Sequence, residues 1–344
     1  MPEVRCCPEC FGDAGLRGSI FPLLEPPLGT CTYCGVRNVP IVAPAALRQW
    51  FEPLVDVYEI KTDGRPLSSW LRSDWQLFEN PAMDDAHVET LLAEILEDGE
   101  IARQLVAPSP QYEAPSLVGW DELRDELMHR NRWFLDQPLD LDRLRELLDL
   151  LINPSDELND RWFRARLMEN DEVFSIENMG APPHRLAGHG RANPAGIPYL
   201  YLGSTPHTAV SEVRPYTGDS ASVAEFSIPT VRVVDLRAPR RQVSPFLLTD
   251  ASEIGQLRAD LPLLERLGFE LTRPVLPRGA PFEYIPSQYL CEFIKVSGFD
   301  GVIYRSSVSD GINLALFDPR LATGGDVSKF QVERVEIQAA PASN

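Results

Sequence analysis

Apolar residues recur at helical spacing in the first half of the chain and at strand spacing in the second. Val88, Leu91, Leu92, Ile95 and Leu96 follow the i, i+3, i+4, i+7, i+8 rule of an amphipathic helix, with Asp84 or Asp85 placed to cap its start. A second helix is predicted from about Trp120 to Phe134. A third is predicted from Leu141 to Ile152, with Leu141, Leu144, Leu147, Leu148 and Leu151 on one face. Asn153-Pro154 supplies its stop. Pro108, Pro110 and Pro115 mark a loop between the first two helices. Residues 41–155 therefore read as a mostly helical domain.

From residue 156 to 344 the pattern changes. Short β-rich runs lie at Val223–Ile228, Val231–Leu236, Val302–Tyr304, Leu314–Phe317 and Phe330–Ile337. Helical patterns intervene at Ser252–Leu267 and Ser287–Val296. Gly298 is placed to close the latter as a left-handed cap before a strand over Phe299–Tyr304. This mixture predicts an α+β domain.

The stretch Gly190–Glu212 carries the densest signals. Gly190, Pro194, Gly196 and Pro198 break regular structure and put Arg191 and Asn193 in a loop. Ile197–Leu202 reads as a buried strand with Tyr199 and Tyr201 on one face. Gly203 and Ser204 turn the chain. Thr205-Pro206 starts a helix, a capping hydroxyl followed by proline at the first helical position. Glu212 lies about two turns into it, so a loop arginine, a strand tyrosine and a helix carboxylate have the means to converge.

The 344 residues allow two or three domains at about 150 residues each. At 44% hydrophobic and 24% charged, the composition is that of a soluble globular protein. A net charge of −19 argues against broad electrostatic binding to nucleic acid. No apolar run of about 18 residues predicts a membrane span, and the first residues lack a secretory signal, so a cytoplasmic location is expected. Five of the six cysteines fall in residues 1–40. Cys7 and Cys10 form one CxxC and Cys31 and Cys34 another, about 20 residues apart, which is the spacing of a four-cysteine zinc ribbon. Cys6 competes with Cys7 for its place. Four thiolates leave no open position on a tetrahedral ion, so the expected zinc is structural. No internal repeat, Rossmann glycine motif, Walker A loop or HExxH is present. His87 and His129 each lie on a predicted helix with no partner at metal spacing and are expected to be packed or at the surface, and His184, His189 and His207 are expected to be solvated loop residues.

These residues bring a family into view. The C-terminal part resembles the RES domain, whose members include NAD-degrading toxins of bacterial toxin–antitoxin systems. Trp162-Phe163-Arg164-Ala165-Arg166 resembles its opening strand. Gly190-Arg191-Ala192-Asn193-Pro194 resembles its GRWN-like loop. Tyr201-Leu202-Gly203 resembles its strand tyrosine, Thr208-Ala209-Val210-Ser211-Glu212 its glutamate helix, and Gly301-Val302-Ile303-Tyr304-Arg305-Ser306 its serine strand. The likeness covers about residues 160–320. Ala192 stands where the family has tryptophan, Ala165 where some members have an aromatic, and Arg305 where proline is usual. Ser307 is an alternative to Ser306. The zinc ribbon and helical segment resemble extensions found on some members.

The resemblance implies an ADP-ribosyltransferase-like fold that cleaves the nicotinamide–ribose bond of NAD+, as a phosphorylase or glycohydrolase or by transfer to a protein. It implies Arg191, Glu212 and Ser306 as catalytic residues, Arg164, Tyr201 and Arg166 as NAD-binding residues, and an antitoxin or regulatory protein as partner. The residue types suit that chemistry. Bond cleavage leaves an oxocarbenium-like ribose, which a carboxylate such as Glu212 stabilises. Arginine forks suit the pyrophosphate and a phosphate nucleophile, with Arg164 and Arg191 the candidates and Arg166, Arg185 and Arg214 in reserve. NAD+ is then a consumed substrate. Ser306 has no histidine base in sequence reach and is not cast as a nucleophile.

Overall fold

A computed structural model describes residues 4–112, 116–136, 139–153, 160–276 and 278–336. The chain divides into two units. One holds residues up to Gly119 together with Ala238–Glu265, and the other holds Trp120–Arg237 and the chain from Arg266 onward.

The chain begins with α1 (Phe21–Leu23) and the antiparallel pair β1 (Leu28–Thr30) and β2 (Arg37–Pro40). Next come α2 (Arg48–Val55), β3 (Tyr58–Pro66), α3 (Leu67–Trp75), α4 (Asp85–Leu96) and β4 (Leu105–Pro108). Asp84 caps α4 as expected, accepting from the His87 N–H at 2.9 Å. The five apolar residues of that helix face are all buried. The antiparallel β3–β4 pair interrupts what the periodicity predicted as helix. An aromatic core forms around Phe11, whose ring lies 5.9 Å from Phe21, 5.9 Å from Phe51 and 5.6 Å from Phe78. Phe51 packs in turn at 4.8 Å on Phe246.

Then follow α5 (Ser116–His129), α6 (Leu141–Asp149), β5 (Ile152–Asn153), β6 (Arg161–Leu167), β7 (Leu200–Gly203), α7 (Pro206–Glu212), β8 (Ser220–Ser227) and β9 (Val233–Asp235). The last third supplies α8 (Pro239–Gln242), α9 (Ala251–Thr272), α10 (Ala280–Glu283), α11 (Ile285–Val296), β10 (Gly301–Arg305), β11 (Ile312–Leu316) and β12 (Thr323–Gln331). The class is mixed α+β, as predicted.

Several boundaries differ from the periodicity. α5 ends at His129, because Arg130 and Asn131 both donate to the Glu126 carbonyl and close the last turn. Trp133 and Phe134, read as helix, lie outside it at 84% and 85% exposure. Ile152, read as the end of α6, pairs instead with Val234 in β5. Pro154 lies outside the described residues. β12 starts at Thr323 and ends at Gln331, earlier than the apolar run suggested, and Ile337 lies outside the described residues. For β5 and β12 a pairing distant in sequence overrides the local pattern, whereas α5 is closed by its own last turn.

The second unit is built on an eight-stranded sheet in the order β12-β8-β6-β7-β11-β10-β9-β5. Only β9 and β10 run parallel; the other neighbours are antiparallel. One face buries Trp162, Leu200, Leu202, Phe226, Ile303, Leu314 and Leu316 with Met179. On the other face Ala165 and Val223 pack against Ala209 of α7. Strand alternation puts Tyr201, Tyr304 and Asn313 on this second face, each one residue out of step with the first set. Gly298, at φ +90°, ends α11 in the left-handed conformation the sequence predicted.

Candidate functional site

Glu212 is the last residue of α7. The Thr205 hydroxyl caps that helix by accepting from the Thr208 N–H at 3.0 Å, and Pro206 opens it. Gly203 lets α7 lie close on β7, since a Cβ there would stand 2.8 Å from the Ala209 nitrogen. At the far end of the helix the Glu212 carboxylate meets the β10–β11 turn. Its Oε1 accepts from Ser306 Oγ at 2.7 Å and from Asn313 Nδ2 at 2.6 Å. Ser306 Oγ also accepts from the Val308 and Ser309 N–H groups at 3.2 and 3.1 Å. Of the two candidate serines, Ser306 is the one bonded to Glu212.

The loop before β7 is fixed by Tyr201. Its hydroxyl accepts from the Ala192 and Asn193 N–H groups at 2.9 and 3.1 Å and donates to Asn193 Oδ1 at 2.7 Å. The Asn193 amide donates onward to the carbonyls of Gly188, Pro194 and Ile197. Gly190 is required beside this knot, because a Cβ would stand 2.5 Å from the Tyr201 oxygen. Ser287 and Gln288 of α11 donate to the Arg191 and Gly190 carbonyls at 2.6 and 2.8 Å. The Arg191 guanidinium donates to the Arg273 carbonyl at 2.8 Å and lies 5.2 Å over the Tyr284 ring. Tyr201 therefore spends its hydroxyl on the loop that carries Arg191.

Arg164 sits at a break in the sheet. β6 and β7 share one ladder pair, Phe163 with Gly203, and the Arg164 guanidinium donates to the Tyr201 carbonyl at 3.3 Å. Its Nε is buried without a partner, and no carboxylate pairs with it among the described residues. Burial first, and the Arg166 charge second, hold its pKa down at about 10. Arg166 is engaged elsewhere. It is exposed, donates to the Asn178 carbonyl at 2.5 Å and stacks 4.7 Å over Phe174. No described hydrogen bond joins it to the Glu212 cluster.

Tyr304 is buried on β10, two residues before Ser306 in sequence and paired with Asn313 across the sheet. Burial pushes its hydroxyl well up, the Tyr201 and Glu212 charges push the same way, and Arg191 pulls it down. The pattern reading did not single out Asn313 or Tyr304. The usable signal for Asn313 was a lone amide inside the apolar run Ile312–Leu316, since a polar group at a core position needs a partner. An open cleft of about 670 Å³ lies at the other end of α7, lined by Arg161, Phe163, Thr205 and Asp310 among others. The reactive groups named above do not line it.

The four-cysteine cluster belongs to the other unit. The sulfurs of Cys7, Cys10, Cys31 and Cys34 all lie within 4.8 Å of one another, close enough to hold a metal ion. Cys7 stands 3.4 Å from Cys34, and Cys10 stands 3.4 Å from Cys31. Both CxxC segments form tight turns, with Cys10 N–H donating to the Cys7 carbonyl and Gly35 N–H to that of Cys31. Hydrogen bonds from Cys10 and then Cys7 pull the Cys31 thiol down, while Cys10 itself is pushed up by Cys31. Cys6 is buried outside the cluster, on a bridge to Val42, which decides between Cys6 and Cys7.

No helix among the described residues is long and apolar enough to cross a membrane. No curated protein matches the chain. Among solved structures it is similar to the M. tuberculosis MbcT–MbcA toxin–antitoxin complex at 13% identity, with a TM-score of 0.34 over 55% of this chain and 92% of that one. Residues 161–334, just over half of the chain, match the family model of the RES domain, and they hold every member of the arginine, glutamate and serine set described above; the chain belongs to the RES family.

Proposed function

We propose that this protein cleaves the nicotinamide–ribose bond of NAD+, as a phosphorylase or glycohydrolase, and acts as a toxin or defence effector. The observation that carries the reading is the state of Glu212. Two donors hold its Oε1, while Oε2 accepts no hydrogen bond among the described residues. A carboxylate anchored by one oxygen and open at the other suits a sugar that becomes positively charged as nicotinamide leaves. Arg191 and Arg164 are the cations for the pyrophosphate or for an incoming phosphate, and the unpaired buried charge of Arg164 supports an anionic ligand. In this reading Ser306 orients Glu212 and is not itself a nucleophile. Tyr201 serves NAD+ through its ring face and through the loop it fixes, and Arg166 contributes charge from the rim.

The bookkeeping of the step is simple. The C–N bond to nicotinamide breaks and its electron pair leaves with nicotinamide. An oxygen of phosphate or water then bonds to the ribose carbon and loses its proton to solvent. An antitoxin or regulatory protein covering the site is part of the proposal, as is zinc in the four-cysteine cluster, held by Cys7, Cys10, Cys31 and Cys34. The cluster is closed, so its zinc is structural. Free cysteines throughout the described chain support a cytoplasmic setting.

The test is to incubate purified protein with NAD+, with and without inorganic phosphate, and to measure nicotinamide release. Release that needs phosphate indicates the phosphorylase, and release without it the glycohydrolase. Label appearing on an added protein identifies an ADP-ribosyltransferase. No loss of NAD+ under any condition overturns the reading and leaves a binding module.

A further inference from the structure

We propose that Asn313 is the positioning residue for Glu212, fixing which carboxylate oxygen faces the ligand. The proposal rests on the reading of Glu212 as the reacting carboxylate. Asn313 lies on β11, 4% exposed, paired across the sheet with Gly203 on one side and Tyr304 on the other. Its side-chain amide donates to Glu212 Oε1 at 2.6 Å. A buried amide in an apolar strand is stable only with a partner, and here the partner is that carboxylate.

Ser306 alone does not give the same control. Its hydroxyl has one proton and sits in a turn, where the Val308 and Ser309 N–H groups already occupy its lone pairs. Asn313 comes from a central strand with main-chain pairing on both sides, so its donor direction is set by the sheet. Two donors converging on Oε1 stop rotation of the carboxylate about its last bond. Oε2 is then the oxygen presented outward. The side chain is also neutral, so it orients the negative charge without cancelling it. An aspartate at this position would keep the shape and replace the donor with a second negative group.

The test uses the full chain with Asn313→Ala and Asn313→Asp. Steady-state nicotinamide release and thermal unfolding are measured on each, and a crystal structure is determined for Asn313→Ala. Displacing a reacting group by about 1 Å costs on the order of 100-fold. We expect kcat to fall about 10- to 100-fold with KM for NAD+ within about two-fold, in protein that still unfolds cooperatively. Asn313→Asp should be at least as impaired as Asn313→Ala despite its matching volume. In the crystal, the Glu212 carboxylate should rotate away from Ser306. An unmoved carboxylate overturns the proposal, and so does a loss of activity wholly explained by loss of folded protein. Should wild-type protein leave NAD+ intact, the proposed function fails by itself, and the carboxylate position in Asn313→Ala still decides the role of Asn313.

Discussion

Arg164 and Tyr201 meet where the sheet opens: the arginine side chain donates to the tyrosine carbonyl at 3.3 Å, just past the single pair that joins β6 to β7. A guanidinium occupies ground that a continuous ladder would have closed. It does so without a carboxylate partner among the described residues, and a largely desolvated cation without one weakens the fold. Function explains such a cost better than stability does.

Arg164→Met should therefore stabilise the ligand-free protein while removing activity. Burial holds the Arg164 pKa at about 10, below the usual arginine range. The penalty is thus fully present below about pH 10 and fades as pH rises toward the unfolded value. Thermal unfolding at pH 8 should show the variant higher by a few degrees, with the gap narrowing above pH 10. Added NAD+ or phosphate should raise the melting temperature of wild type and leave the variant unmoved. A variant less stable than wild type at pH 8 would contradict this account.

Tyr201→Phe removes one oxygen and leaves two backbone donors and Asn193 Oδ1 without their partner. Unsatisfied buried groups cost about 1–3 kcal/mol, so melting should drop by several degrees. The loop bearing Arg191 should loosen as well. The expected kinetic mark is a raised KM for NAD+, measured by nicotinamide release over a substrate series.

Glu212→Ala and Arg191→Ala should each cut nicotinamide release by roughly 100- to 1,000-fold, the scale for losing one charge-stabilising group. Glu212→Ala also strips the buried Asn313 amide of its acceptor, so its melting temperature should fall by a few degrees while unfolding stays cooperative. Circular dichroism with the activity assay checks both halves. Unchanged turnover in both variants would remove the site assignment.

Glu270→Gln tests the support behind Arg191. The Glu270 side chain is fully buried among Arg124 at 2.8 Å, Arg273 at 3.3 Å and Arg266 at 3.9 Å. Neutralising it leaves Arg124 without a carboxylate among the described residues, while Arg266 keeps Asp121 and Arg273 keeps Glu283; breaking the buried pair costs about 3–5 kcal/mol. Arg273 also supplies the carbonyl that accepts from Arg191. Chemical denaturation should show the loss, and KM for NAD+ should rise in whatever fraction remains folded. Glu270→Gln with full stability would mean that the cluster is solvated.

The parts of this architecture legible in the sequence are those with local causes. Asp84 and Thr205 cap the helices they precede, and Gly298 closes α11, because a cap is decided within a few residues. The cysteine turns are local for the same reason. Glu212 and Ser306 are each visible as residues, but their hydrogen bond joins positions far apart in the chain, and only the sheet order brings them together. Asn313 is hidden more deeply, since nothing near it in sequence names its partner. The β3–β4 pair and β5 escaped the helical pattern because strand pairing is decided by a distant neighbour.

The four-cysteine cluster makes the last prediction. Four sulfurs within 4.8 Å of one another repel as thiolates unless a cation sits among them. Purified protein should carry about one zinc per chain by elemental analysis. Cys31→Ser should lose it, because three sulfurs no longer close a tetrahedral site, and the unit around Phe11 should melt earlier as metal-linked folding energy is withdrawn. Cys6→Ser should keep the metal, since the Cys6 sulfur is not among the four that cluster. A metal-free wild type, or a Cys6→Ser variant that loses zinc as Cys31→Ser does, would refute this ligand set.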